Sequence, residues 1–138
     1  MKKRYTICFD MDATICEHIR HYHPEDILKV KPLPYSQTSN VLWIDIINQL
    51  YDMGYEIVIF TRRGILPNGR VLTKQWLKNY KVKYHKLITK KPHYNLFVGD
   101  RVESCYHGFW SAEQVIAQLE FVQREMKKRK YKSRRKND

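Results

Sequence analysis

The sequence predicts an α/β fold in a single domain, built on a mostly parallel sheet. Three observations carry that expectation. Short apolar runs recur along the chain, helical patterns lie between them, and each run ends in a polar residue. Strands alternating with helices form βαβ units, whose sheets are parallel and covered on both faces.

The runs are YTICF before Asp10, EIVIF before Thr61, and NLFV before Gly99-Asp100. Their β-branched and aromatic content, without polar alternation, suits strands buried on both faces. A fourth stretch, KVKYHKLI over 81–88, alternates with period two, as a half-exposed or edge strand does. Between the first two runs, Asn40 to Met53 is apolar at 42, 46, 47, 50 and 53. It starts behind the N-cap candidates Thr38, Ser39 and Asn40 and stops at Gly54. A second helix is expected over Arg70 to Asn79, with Leu72 and Trp76 on one face, after a loop turn at Pro67-Asn68-Gly69. The last helix begins at Ser111, with Gln114 completing a capping box. Its stripe Val115, Leu119, Val122, Met126 is expected to pack on the core.

A chain of 138 residues suffices for one core, and 43% hydrophobic content fits a folded soluble chain. No run approaches the ~18 apolar residues that span a bilayer. The start MKKRYTICFD is basic, but its apolar stretch is short and ends in an acid, so it reads as the first strand rather than a signal peptide. Cys8, Cys16 and Cys105 are odd in number and form no CxxC pair, which argues for a reducing, cytoplasmic setting. Residues 124–138 hold nine Lys/Arg against two acids, +7 of the net +12. That stretch reads as a solvated or disordered extension, or as a contact for a polyanion such as nucleic acid.

In open α/β sheets ligands bind outside the carboxyl ends of the strands. Asp10, Thr61 and Asp100 each sit at such an end. Asp10 and Asp12, two residues apart, share one side of an extended backbone. Two carboxylates that close need a positive partner, which here is a metal, a neighbouring lysine, or merely water. A hard cation such as Mg²⁺ prefers their oxygens, and Asp100 can complete its site from another strand end. Thr61 offers a hydroxyl and a backbone N–H suited to a phosphoryl oxygen. Lys90-Lys91-Pro92 offers an ammonium to balance Asp10 and a bound phosphate. Carboxylate, metal, hydroxyl and lysine together are what aspartyl-phosphate chemistry requires.

The same residues carry a family resemblance. FDMDATI resembles the first motif, DxDx(T/V), of the haloacid dehalogenase-like (HAD) superfamily. IFTRRG looks like its second, and KKPHYNLFVGDR resembles its third and fourth; together they cover roughly residues 5–105. Small cap-less members associated with capsule or sugar-phosphate metabolism are the most similar. Their T-x-R-G, W-L, K-P and acidic-pair-before-Arg pattern reads here Thr61-Arg62-Arg63-Gly64, Trp76-Leu77, Lys91-Pro92 and Gly99-Asp100-Arg101.

The resemblance implies a Rossmann-like three-layer α/β/α domain over residues 1–123, without a cap. Residues 124–138 would extend the last helix or be disordered. It implies Asp10 as nucleophile and Asp12 as general acid and then base. Thr61, Arg62 and Lys91 would hold phosphoryl oxygens, and Mg²⁺ would bind Asp10, the Asp12 backbone carbonyl and Asp100, with help from Glu103. Lys91 is preferred to Lys90 because the pattern puts lysine directly before proline. Two positions depart from the pattern: Ala13 replaces the usual glycine, and Gly99 replaces the first acid of the fourth motif.

CEHIRHYHPED places His18, His21 and His23 just after the paired aspartates, where they are expected to flank the site and touch substrate. Read as transition-metal ligands, they match no tight zinc spacing. Only some 25 residues, Ile15 to Ser39, follow the first motif before the next helix, too few for a folded cap. The site should then be open, or be closed by a second subunit in a homo-oligomer. The expected function is a Mg²⁺-dependent phosphomonoester phosphatase acting on a small phosphorylated metabolite such as a sugar phosphate. Two other readings stand beside it: a phosphatase for nucleic-acid ends or nucleotides, and a non-catalytic HAD-like protein with a polyanion-binding tail.

Overall fold

The structure, a computed structural model, describes residues 5–17, 24–33, 42–63, 68–90, 93–99 and 111–136. Its strands are β1 (Thr6–Asp10), β2 (Glu56–Phe60), β3 (Lys86–Ile88) and β4 (Leu96–Val98), and its helices α1 (Trp43–Asp52), α2 (Gly69–Asn79) and α3 (Ala112–Lys136). A 3-10 segment, Pro24–Leu28, precedes α1. The four strands form one sheet in the order β3-β2-β1-β4, with every pairing parallel. The chain is therefore α/β, as its apolar runs predict.

β1 lies inside the sheet, with Ile7 opposite Ile57 on one side and Leu96 on the other. Ile7, Cys8 and Phe9 are all fully buried, and so are Ile57 and Ile59 in β2. The interior positions of a strand covered on both faces are left to apolar side chains, which explains the unbroken apolar runs, while Thr6 and Glu56 at the strand starts bond each other at 2.9 Å. β4 departs from that expectation. Leu96 and Val98 are buried but Phe97 between them is only half-buried. It lies at the border of the described sheet, where one face is less covered.

The fourth stretch does form an edge strand, β3, but only over Lys86–Ile88. Lys81 takes φ 56°, and the Val82 N–H donates to the Leu77 carbonyl at 2.9 Å. This is a left-handed helix ending, so 81–82 close α2 and cannot also extend along β2.

α1 begins later than Asn40. Its N-cap is Leu42, whose N–H donates to Asp45 Oδ2 at 3.3 Å, while residues 34–41, with the expected caps, lie outside the described residues. Trp43, Ile44, Ile46, Ile47 and Leu50 make its buried face, and Phe9 meets Trp43 edge-on at 6.1 Å. Met53 was expected on that face but is 56% exposed, because it is the C-cap residue, where the chain leaves the helix before Gly54 at φ 97°. α2 packs on the 3-10 segment, and the Trp76 indole N–H donates to the Val30 carbonyl at 2.9 Å.

α3 starts as its sequence suggests, with the Gln114 N–H donating to Ser111 Oγ at 3.3 Å. Val115 and Leu119 are buried and Val122 packs against the core, but Met126, the fourth residue of the stripe, is 46% exposed. The reason is length. Twenty-five helical residues extend about 37 Å, whereas a five-residue strand extends about 17 Å. The helix outruns the sheet, and its basic end is helical through Lys136. Leu119→Ala should therefore lower the unfolding free energy by about 3 kcal/mol. Met126→Ala should change it by less than about 0.5 kcal/mol; urea unfolding of both variants measures the difference.

Candidate functional site

The carboxyl ends of β1, β2 and β4 converge where the strand order changes direction, since β2 and β3 lie to one side of β1 and β4 to the other. Such a switch point opens a crevice at the strand ends. Asp10 closes β1 there, opposite Phe60. The Met11 N–H still bonds the Phe60 carbonyl at 2.9 Å, so the ladder runs one residue past the strand and buries Met11 completely. Asp10 and Asp12, flanking it, are both only partly buried, as residues sharing the open side of an extended backbone should be.

Residues 11–16 then fold into a tight loop around one carbonyl. Met11 O accepts from the N–H groups of Thr14, Ile15 and Cys16 at 3.3, 3.0 and 3.2 Å, and the Ala13 N–H reaches the Cys16 carbonyl at 2.9 Å. Ala13 sits at φ 65°, in the left-handed region where a Cβ is strained. Position 13 thus makes a demand on the backbone that glycine would meet without strain.

Asp12 is held at both oxygens. Arg63 Nε donates to Oδ1 at 2.7 Å and the Thr61 hydroxyl to Oδ2 at 3.2 Å. The Arg63 N–H in turn donates to Thr61 Oγ1 at 3.0 Å, a turn that folds the residue two after Thr61 back over the strand end. The Arg63 side chain is 3% exposed and that of Asp12 25%. Among the described residues the positive partner of Asp12 is therefore Arg63, a residue that the reading of metal, lysine or water did not name.

Thr61 also differs from expectation. Its N–H, expected to face a phosphoryl oxygen, donates to the Ile88 carbonyl at 3.0 Å, because the β2–β3 ladder continues through it. Its hydroxyl has one proton, given to Asp12, so here Thr61 orients that carboxylate. Arg62, expected among the phosphate-binding residues, is exposed, while its neighbour Arg63 is buried in the site. The signal for Arg63 lay in the T-x-R spacing itself, since a Thr-initiated turn returns residue i+2 to the strand end.

Beneath the guanidinium lies Cys16, which accepts from Arg63 Nη2 at 2.9 Å and donates to the Met11 carbonyl at 3.5 Å. Burial pushes this thiol up to about 12, against the lowering effect of Arg63, so it is protonated at neutral pH and serves as packing and hydrogen-bond partner rather than nucleophile. Arg63 Nη1 and Thr14 Oγ1 are buried with no hydrogen-bond partner among the described residues.

Gly99 ends β4 against Asp10. A Cβ there would lie 2.8 Å from Phe97 Cε1, 3.1 Å from Asp10 Cβ and 3.5 Å from Asp10 Oδ2. Any side chain at 99 would press on Asp10, and an acidic one would add a second carboxylate to it, which accounts for the glycine at this position. Lys91, Asp100, Glu103, His18, His21, His23 and Cys105 lie outside the described residues, as do the segments 18–23, 34–41 and 64–67 that bear on a cap. Among the described residues, no three His, Cys, Asp or Glu side chains converge as a metal site. No helix there is long and apolar enough to cross a membrane. Comparison of the chain with protein-family models, curated proteins and solved structures finds no match.

Three variants test this geometry. Arg63→Met should cost about 2 kcal/mol in urea unfolding, at the low end for a broken buried pair because Asp12 keeps some contact with water. Arg62→Met should stay within about 0.5 kcal/mol. Ala13→Gly should raise the unfolding free energy by about 1 kcal/mol, by releasing the left-handed strain.

Proposed function

We propose that the protein is a Mg²⁺-dependent phosphomonoester phosphatase of HAD-like design, working through an aspartyl-phosphate on a small phosphorylated substrate such as a sugar phosphate. The observation that carries this reading is the network across the ends of β1 and β2, in which Thr61 and Arg63 hold both oxygens of Asp12 at the switch-point crevice beside Asp10. A carboxylate fixed that firmly, two residues from a second one, suits proton transfer next to a nucleophile. Arg63 Nη1, buried and with no partner among the described residues, is a donor that an anionic ligand would satisfy.

In this reading an Asp10 oxygen attacks phosphorus, and the ester P–O bond breaks. Asp12 gives its proton to the departing oxygen. Each Asp12 oxygen has a lone pair beyond the one used by Arg63 or Thr61, so a proton can be held there without dismantling the network. Asp12 then takes a proton from water, whose oxygen attacks phosphorus and frees inorganic phosphate and the Asp10 carboxylate. Lys91 is assigned to the phosphoryl oxygens from the sequence pattern alone.

The donor set fits Mg²⁺ in kind, because Asp10 and the Asp12 carbonyl offer the hard oxygens this cation prefers, with Asp100 as the third ligand from the sequence pattern. When bound, the cation would neutralise phosphoryl charge near Asp10.

Phosphate release from an aryl phosphate, then from panels of sugar phosphates, nucleotides and phosphorylated oligonucleotides, tests the proposal. Activity should disappear with chelator and return with Mg²⁺. Asp10→Asn should reduce it at least about a thousandfold. Wild-type activity in that variant would exclude the aspartyl-phosphate route.

A further inference from the structure

We propose that the basic end of α3 is a docking surface for single-stranded nucleic acid, gripped through its phosphate backbone. The inference is independent of the chemistry at Asp10. It begins from the helix being continuous from Ala112 to Lys136 while its contact with the core ends near Val122. The cations of this region are therefore carried on a regular helix, exposed over 126–129, and not on a random tail.

Helical spacing then places four of the nine Lys/Arg along one face. At about 100° per residue, Val115, Leu119 and Val122 form the inward line, and the core contacts of these residues fix its direction. Positions 124, 128, 131 and 135 follow one another at spacings of four, three and four on the opposite face, with 127 beside them. These positions are Arg124, Lys128, Tyr131, Arg135 and Lys127. The side chains of Arg124, Lys127 and Lys128 are exposed. Lys128 bonds Glu125 at 3.3 Å, a weak surface pair, while Arg124, Lys127 and Arg129 have no ion-pair partner among the described residues. From position 124 to 135 this face runs about 16 Å along the helix axis, and cationic positions in a row with a tyrosine position among them suit a strand that offers regularly spaced phosphates and stacking bases.

The composition of the other face separates this ligand from an anionic membrane. A helix lying in a bilayer interface buries a row of Trp, Phe or Leu opposite its cations. Beyond the core, the corresponding positions hold Met126, Arg129, Lys130 and Ser133, with one apolar residue among four. A polyanion in solution asks for no such row.

The test is fluorescence anisotropy of the full chain with labelled oligothymidylate and oligouridylate of about 20 nucleotides, longer than one such surface can cover. Both should bind, since they share the backbone. With about four phosphates engaged, affinity should fall about 20-fold from about 50 to about 150 mM salt. The triple variant Arg124→Gln, Lys127→Gln, Lys128→Gln should weaken binding more than about tenfold. A control of equal charge change off the stripe, Arg129→Gln, Lys130→Gln, Lys136→Gln, should weaken it less than about threefold. Retained thermal unfolding midpoints show that both triples fold. No binding at low salt, equal losses in the two triples, or displacement of the oligonucleotide by anionic vesicles at matched charge would each overturn the proposal. Asp10→Asn should bind as wild type, and both triples should release phosphate from an aryl phosphate as wild type does, so this proposal and the catalytic one fail separately.

Discussion

β1 is hydrogen-bonded on both edges and covered on both faces, and that constraint governs the rest of the molecule. Such a strand excludes charged side chains from its fully buried interior, Ile7 to Phe9, because a carboxylate there would lose its hydration without a partner. The chain turns polar at the last residue of the strand, where burial on both faces gives way to the open end of the sheet. Asp10 stands there, with Met11 still sealed in the core and Asp12 just beyond. Because β2 is parallel to β1, Thr61 reaches its own strand end on the same side of the sheet. The site follows from parallel register, with no further device needed to bring these residues into one crevice.

Electrostatics decides how that crevice is furnished. Two acids close together need compensation, and among the described residues Arg63 supplies it from beneath, fastened to Asp12, with Cys16 and the Thr61 turn as supports. A guanidinium suits this place better than an ammonium would, because its planar fork bonds two acceptors at once while its charge stays delocalised. The loop that brings Cys16 under the guanidinium is closed by three backbone N–H hydrogen bonds donated to the Met11 carbonyl and requires the left-handed turn at Ala13. Strain in the loop and order in the site are thus two aspects of one arrangement. Gly99 completes it from β4, since its missing side chain lets the neighbouring strand close on Asp10.

Much of this was legible in the residues. Unbroken apolar runs ending at Asp10 and Thr61 placed the two central strands and their ends, because burial on both faces leaves a pattern that local inspection detects. The glycine at 54 and the serine at 111 marked a helix end and a helix start, since caps act through their own backbone neighbours. Ala13 was visible too, as a departure from the glycine of the resembled pattern, but only the backbone shows that it sits at φ 65°. What escaped notice was non-local. Arg62 and Arg63 are chemically alike in sequence, and a turn set by the Thr61 hydroxyl sends one to solvent and the other into the site. Met53 and Met126 keep apolar periodicity but sit where the helix has left its neighbours behind. Periodicity reports which face is apolar, not whether anything lies opposite it.

The sequence by itself determined the α/β class, the central strands, the polar residues at their ends and the concentration of positive charge after residue 124. All of these depend on residue type and short-range spacing. Only the tertiary structure decided the partner of Asp12, the engagement of the Thr61 N–H in the ladder, the need for a bare backbone at Gly99 and the helical form of the basic end. Each of those turns on which atoms meet across elements distant in the chain, and contact of that kind is created by folding.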